Sequence, residues 1–423
     1  MALHDSLTDW GIVSRSMGGR RFSTAVTVAS VAVAVGVMTL LLSMKASGRS
    51  SFERGTGNAQ MLISREPGAL TSVLNSMFYA DAPGNDIPWR DFEALRDSYP
   101  FAWAIPTALG DSYRQLPVMA TTTEFFTRFE PAAGEPFAVR EGRLFERPFE
   151  VVLGAEAARR TNLSIGSVIN LYHGAPRQAG THEHTEFDYT VVGILAPTGS
   201  PHDRALFTDL ESGWTLHAHD RRLTELGSGT VTTPADVADA DRRITGVYAS
   251  LGPRTAALTQ VLSALRRDPD WTVAQPADTV RGLFAIVSSV DQILVAMAAA
   301  VLLSSGVSIM LALYNSMEQR RKQVAVLRVL GASRWRVSNL VLTESAAIGL
   351  MGGVIGVLLS VALGLAVSGA LEARLGLVIR PSLPLDGYLA MVLGTVALSM
   401  AAGVAPAVVA YRTAVVRHLR PIG

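Results

Sequence analysis

No charged side chain interrupts residues 24–44, a run of 21 apolar and small residues from Thr24 to Met44. As a helix it would reach about 31 Å, enough to cross the ~30 Å hydrocarbon core of a bilayer. Three further apolar blocks follow: Gln292–Tyr314, Asn339–Leu371 and Tyr388–Tyr411, the second interrupted only by Glu344. A cleaved leader has a shorter apolar region of ~7–15 residues, so the first run is expected to be a retained anchor. The pattern predicts a membrane protein with four transmembrane helices. Between the first and second lies a large α+β domain of one or two subdomains.

Charge orients the spans. Arg15, Arg20 and Arg21 precede the first, and Arg412, Arg417 and Arg420 follow the last. Between the second and third come Arg320, Arg321, Lys322, Arg328, Arg334 and Arg336, with Glu318 the only acid. Short basic loops remain in the cytoplasm, and four spans put these three segments on one side. The expected divisions are 1–22, a cytoplasmic amphipathic N-terminus; 23–45, helix 1; and 46–280, the extracytoplasmic domain. After it come 281–315, a stalk with helix 2; 316–336, a cytoplasmic loop; 337–371, helix 3; 372–387, an outer loop; 388–411, helix 4; and 412–423, a cytoplasmic tail. Leu3, Leu7, Trp10 and Met17 recur at roughly helical spacing, suiting a short helix on the inner leaflet or, equally, a frayed terminus.

Within the outer domain, Pro88 is expected to open a helix through Trp89, Phe92 and Leu95. Strands are expected at Leu116–Ala120, Val151–Leu153, Val168–Tyr172 and Tyr189–Ile194, with a helix over Gly154–Asn162. A βαβ-like unit follows: strand Thr245–Ala249, helix Arg254–Arg267, strand Trp271–Ala274. Asp278 is expected to cap a helix running from Thr279 to Tyr314, longer than a bilayer needs.

Composition narrows the function. The chain is 49% hydrophobic and 17% charged, against about a quarter charged in soluble domains. A net charge of +1 gives no global field for nucleic acid. There is no cysteine, hence no disulfide, thiol nucleophile or thiolate metal site. No G-x-x-x-x-G-K-[ST] motif occurs in the sequence, so nucleotide hydrolysis is expected on another subunit and no enzyme activity on this one. Asp291 and Glu344, acids at or within the spans, raise an intramembrane protease or proton relay. They lie near opposite edges of the membrane without a paired-carboxylate motif. A structural role is expected instead, Glu344 bonding near the basic loop.

Two patterns mark candidate contact residues. Gly352, Gly356, Ser360 and Gly364 form a small-residue stripe that would let helices pack closely, within the chain or in a dimer. In the 316–336 loop, good helix formers run from Glu318 to Leu330, Gly331 stands at the place of a left-handed cap, and Ser333 can start the next helix.

That loop reads Met317-Glu-Gln-Arg-Arg-Lys-Gln-Val-Ala-Val-Leu-Arg-Val-Leu-Gly-Ala-Ser333, then Arg334-Trp335-Arg336. Leu342-Thr-Glu-Ser345 and Gly349-Leu-Met-Gly352-Gly353-Val-Ile-Gly356 follow. This stretch resembles the FtsX/MacB/LolC-type ABC-transporter permeases. Gly142-Arg-Leu-Phe145, Val151-Val-Leu-Gly154, Gly166 and Val191-Val-Gly-Ile-Leu195 resemble that family's MacB-like periplasmic domain. The resemblance implies four spans, an inner-membrane location with both termini cytoplasmic, and a cytoplasmic coupling helix that docks on an ATPase. It assigns that role to Glu318, Arg321, Val324, Leu327, Arg328, Leu330 and Gly331. It also implies two ATPase copies holding ATP and Mg, a second permease copy or homologue, a periplasmic protein or lipoprotein partner, and lipid contact. The implied function is mechanotransmission that drives export or extraction of a substrate. Some relatives instead transmit a signal to a periplasmic partner such as a cell-wall hydrolase.

Six of the eight histidines fall between 173 and 219: His173, His182, His184, His202, His217 and His219. His182/His184 and His217/His219 are i, i+2 pairs, on one face if extended. With Asp203 and Asp220 beside them they suit zinc or another borderline metal; the alternative is a solvated, histidine-bearing loop.

Overall fold

The computed structural model describes residues 9–173, 182–183, 186–227, 230–253, 255–319, 329, 331–375 and 382–412. They form two compact units, Met1–Gly48 with Val287–Gly423, and Arg49–Ile286. Each boundary falls inside a long helix.

The first described element is α1 (Asp9–Gly18), whose Val13 is buried. Next comes α2 (Arg21–Thr56), 36 residues long. It outlasts the apolar run because its polar end supports itself: Arg49 bonds Glu53 at 2.7 Å, one turn on. Gly57 (φ +52°) stops it, and a Cβ there would strike the Glu130 carbonyl oxygen. Asn58 then fastens the turn, its Nδ2 donating to the Arg128 carbonyl (3.0 Å) and its Oδ1 accepting from the Glu130 N–H (3.0 Å).

The outer unit opens with β1 (Met61–Ser64), α3 (Ala69–Phe78), β2 (Ile87–Pro88) and α4 (Trp89–Ser98). Pro88 thus precedes the helix rather than occupying its first turn. Then follow β3 (Trp103–Tyr113), β4 (Leu116–Thr121), α5 (Glu124–Arg128), β5 (Val139–Gly142), β6 (Glu150–Leu153) and α6 (Ala155–Thr161). Gly154 and Asn162 flank α6, Asn162 left-handed at φ 56°. The expected Val168–Tyr172 strand divides into β7 (Val168–Ile169) and β8 (Tyr172–His173), and β9 (His182–Glu183) pairs with the latter. Beyond β10 (Tyr189–Leu195) and β11 (Leu206–Asp209) lies α7 (Leu210–Leu226). The unit's last elements are β12 (Arg243–Ile244), β13 (Gly246–Ser250), α8 (Thr255–Leu265) and β14 (Thr272–Ala274).

One mixed sheet holds this unit together, in the order β14-β1-β13-β3-β4-β11-β6-β10-β5, with β7, β8 and β9 attached at its side. β13 and β14 both run antiparallel to β1, which lies between them, so the βαβ-like unit is split by a third strand. Side-chain alternation makes the layers. Leu62, Ile105, Met119, Val152, Phe207 and Tyr248 face one side with α3 and α5. Their neighbours Met61, Ile63 and Val247 face the other with α4 and α8, and Val151, Leu153 and Leu206 with α6.

The chain returns through α9 (Pro276–Gln319, 44 residues), α10 (Arg334–Leu375) and α11 (Leu385–Arg412). α9 starts at Pro276, and Asp278 sits in its first turn rather than capping it; proline suits the first position because its missing N–H would have no partner there. Four helices are long and apolar enough to cross a membrane: Arg21–Thr56, Gln292–Met317, Arg334–Gly369 and Leu385–Val409.

Candidate functional site

The C-terminal end of α9, the N-terminal end of α10 and the C-terminal end of α11 meet through Met317, Val337, Val341 and Ala407. Glu318 is the last residue but one of α9, one beyond Met317. Arg321, Val324, Leu327, Arg328 and Leu330 lie outside the described residues. Gly331 is exposed with φ +96°, a conformation that side chains rarely adopt. Two residues later Ser333 caps α10: its Oγ accepts the Arg336 N–H at 3.1 Å. Arg334 lies over the Tyr411 ring at 5.8 Å, and Trp335 is 68% exposed.

This end is tied to the N-terminal segment. The Arg336 guanidinium bonds the Asp9 carboxylate at 2.8 and 3.0 Å. Deeper in, Glu344 is buried, accepting from Arg20 Nη2 at 2.5 Å and Ser16 Oγ at 3.1 Å. The acid therefore has the expected kind of structural contact but a different partner: the residues before the first span, not the basic loop. The Asp291 side chain lies outside those described.

Small residues bring α10 against its neighbours on two sides. Toward α2, a Cβ on Gly352 would stand 2.6 Å from Val31 Cγ1, and one on Gly356 2.7 Å from the Ala32 carbonyl oxygen. Ser360 and Gly364, further along the stripe, are buried. Toward α11, a Cβ on Gly349 would stand 2.7 Å from Ser399 Cβ, and one on Gly403 2.9 Å from Ser345 Cβ. Gly36 completes the α2 contact, 3.2 Å from the Gly356 carbonyl by the same measure. The i, i+4 spacing of Gly349 and Gly353 was available to reveal the second seam; Gly36, alone in its helix, gave no such signal.

The histidines do not gather as the sequence suggested. His217 and His219 lie in α7, where residues two apart face nearly opposite ways, so the extended reading of that pair is wrong. His219 Nδ1 is 3.1 Å from Thr232 Oγ1. His202, fully buried in the 3-10 helix Pro201–Arg204, shares a 2.6 Å hydrogen bond with the Tyr79 hydroxyl through Nδ1. Phe125 and Phe129 stand edge-on to it, and its Nε2 makes no hydrogen bond of normal geometry. His184 lies outside the described residues, as do the side chains of His173 and His182. Among the described residues no three His, Asp or Glu side chains could hold one metal ion.

Burial holds His202 neutral, its pKa pushed down to about 3, with the Gly55 backbone opposing in part. Between about pH 6.5 and about 3 the unfolded chain binds a proton that the folded chain refuses. Stability therefore falls as pH drops through 6.5, by about 1.4 kcal/mol per pH unit. His202→Gln keeps a partner for Tyr79 without titrating. Denaturant melts of the full-length protein, followed by Trp89, Trp103, Trp214 and Trp271, should lose about one proton of slope between pH 6 and 4 in the variant. An unchanged slope would contradict the assignment.

Comparison with known proteins fixes the family. The model of the MacB-like periplasmic core domain matches residues 24–266, and that of the FtsX-like permease C-terminal domain matches residues 295–415. The chain belongs to the MacB/FtsX-like permease family. Over 382 residues the chain is 22% identical to the macrolide export ATP-binding/permease protein MacB of Marinobacter nauticus, covering 85% of this chain and 54% of that protein. It is also 22% identical over 202 residues to an ABC transporter permease of Methanocaldococcus jannaschii, covering 48% of this chain and 47% of that one. The chain thus spans about half the length of the curated relatives it matches. The FtsX-like match takes in the α10–α11 seam together with Glu318, Gly331 and Glu344, whereas the α2 side of the other seam, at Val31, Ala32 and Gly36, falls in the MacB-like match; Asp9, Ser16 and Arg20 precede both matches.

Proposed function

We propose that this chain is the membrane subunit of an ABC transporter, in the inner membrane with both basic ends cytoplasmic. A partner ATPase binds at residues 318–331, and its nucleotide cycle moves the outer unit so as to export or extract a substrate at the outer face. Two permease and two ATPase copies complete the assembly. The observation that carries the reading is the pair of helices α2 and α9, about 54 and 66 Å long at 1.5 Å per residue, each well beyond bilayer thickness. In the apolar unit they share the cluster of Val31, Val35, Ile309 and Leu313. In the outer unit Phe52 of α2 lies 5.4 Å from Phe284 of α9, ring edge to face, and 4.5 Å from Phe78. A displacement of one helix end would act on packed aromatic side chains rather than on a loop.

The test uses the ATPase that copurifies with the chain. Leu327→Asp should lower its affinity for the permease by about thirtyfold, the loss of one interfacial anchor of ~2 kcal/mol, and remove permease-dependent stimulation of hydrolysis. Full stimulation by the variant would count against coupling through this segment.

A further inference from the structure

The short helix α1 spends one side within the fold and leaves the other open. Asp9, Val13, Ser16 and Met17 recur at helical spacing. Asp9 bonds Arg336, Val13 is buried, Ser16 bonds Glu344, and Met17 packs on the cluster of Val31, Val35, Ile309 and Leu313. Trp10, Ser14, Arg15 and Gly18 are exposed on the remaining surface, Trp10 by 62%. Asp9 is the only acid of α1, and Arg336 neutralises it. What stays open is aromatic and cationic.

The turn into α2 extends that surface. Arg21 folds back, its Nε donating to the Gly18 carbonyl at 3.2 Å. Gly18 is three residues from Arg15, and residues three apart on a helix are neighbours, so both guanidinium groups belong to the last turn of α1. Arg20 and Arg336 are paired, with Glu344 and Asp9; among the described residues Arg15 and Arg21 have no ion pair. Phe22, in the first turn of the span, is 84% exposed. We propose that this surface binds the headgroup of an anionic phospholipid of the inner leaflet, Arg15 and Arg21 on its phosphodiester and Trp10 and Phe22 against the lipid.

The chemistry favours that occupant. The planar guanidinium fork matches two phosphate oxygens at once. A zwitterionic headgroup would bring its own cation against the two arginines, whereas an anionic one brings none. A free phosphate would use the arginines and leave both rings in water. Tryptophan settles at headgroup level, and each basic residue near an anionic bilayer surface contributes about a fivefold gain in affinity. The inner leaflet follows from the orientation proposed above; the preference for negative charge does not, and it requires no ATPase.

Full-length protein in nanodiscs exposes both leaflets, so the result is independent of orientation in the cell. Brominated phosphatidylglycerol, added at low mole fraction to phosphatidylcholine, should quench tryptophan fluorescence more than brominated phosphatidylcholine at the same fraction. The excess should fall as salt rises. Arg15→Gln with Arg21→Gln should weaken the apparent affinity for phosphatidylglycerol by more than about tenfold, while Arg15→Lys with Arg21→Lys retains most of the preference. Arg90→Gln, which removes an exposed charge from the outer unit, should change nothing. Trp10→Phe should shrink the excess, since it keeps an apolar ring but removes the fluorophore. Both arginines are exposed, so unaltered melting of the double Gln variant in phosphatidylcholine would separate lost binding from misfolding. Equal quenching by the two lipids would overturn the proposal. So would an excess that survives the double Gln substitution or does not depend on Trp10.

Discussion

Gly356→Leu is expected to be the most damaging single substitution in the apolar unit. A Cβ at this position stands 2.7 Å from both the Ala32 carbonyl oxygen and Val35 Cβ. The first obstacle is backbone, which cannot rotate away, so α2 and α10 must separate. Overpacking a filled interior typically destabilises by about 1–3 kcal/mol, and a clash with backbone belongs at the upper end. Membrane helices associate mainly through such close packing, because lipid offers no hydrophobic penalty for separation. Thermal melts of the purified protein should show a drop of several degrees, together with loss of ATPase stimulation. Gly394→Leu supplies the control, because a Cβ there meets nothing within 4 Å. Equal effects at the two glycines would show that the α2–α10 contact is not tight.

Glu344→Ala should be nearly as severe. The carboxylate is only 8% exposed and holds Arg20 at 2.5 Å and Ser16 at 3.1 Å. Removing one partner of a buried pair leaves the other charge uncompensated, at about 3–5 kcal/mol where burial is complete. Arg20 retains some solvent contact, its side chain 19% exposed, so about 2–3 kcal/mol is the expected loss. A double-mutant cycle with Arg20→Ala separates the pair from general packing. The double variant should be little worse than Glu344→Ala alone. Additive losses would mean that the two side chains do not depend on each other.

The four apolar helices were legible because bilayer thickness sets a length that chance rarely supplies. The ends of α6 were legible too, at Gly154 and Asn162. Elsewhere local signals misled. The polar end of α2, from Lys45 to Thr56, looks like a loop, yet it is helical through the Arg49–Glu53 pair and the packing of Phe52. α7 was hidden by its polarity. Only a few of its residues, Leu210 and Leu216 among them, reach the core, and its start is set by Asp209, whose carboxylate accepts the Ser212 N–H at 3.0 Å. Reading His217 and His219 as extended followed from missing that cap. The site was partly legible: Gly331 and Ser333 announce a helix stop and start, whereas the partners of Glu344 and Arg336 lie over 300 positions away. No local pattern encodes such pairs.

The chain has no cysteine, so Arg328→Cys creates a single thiol in the segment assigned to the ATPase. A membrane-impermeant maleimide should label it in inverted inner-membrane vesicles and leave it unlabelled in intact spheroplasts. Labelling in spheroplasts would put this segment on the outer side and contradict the account.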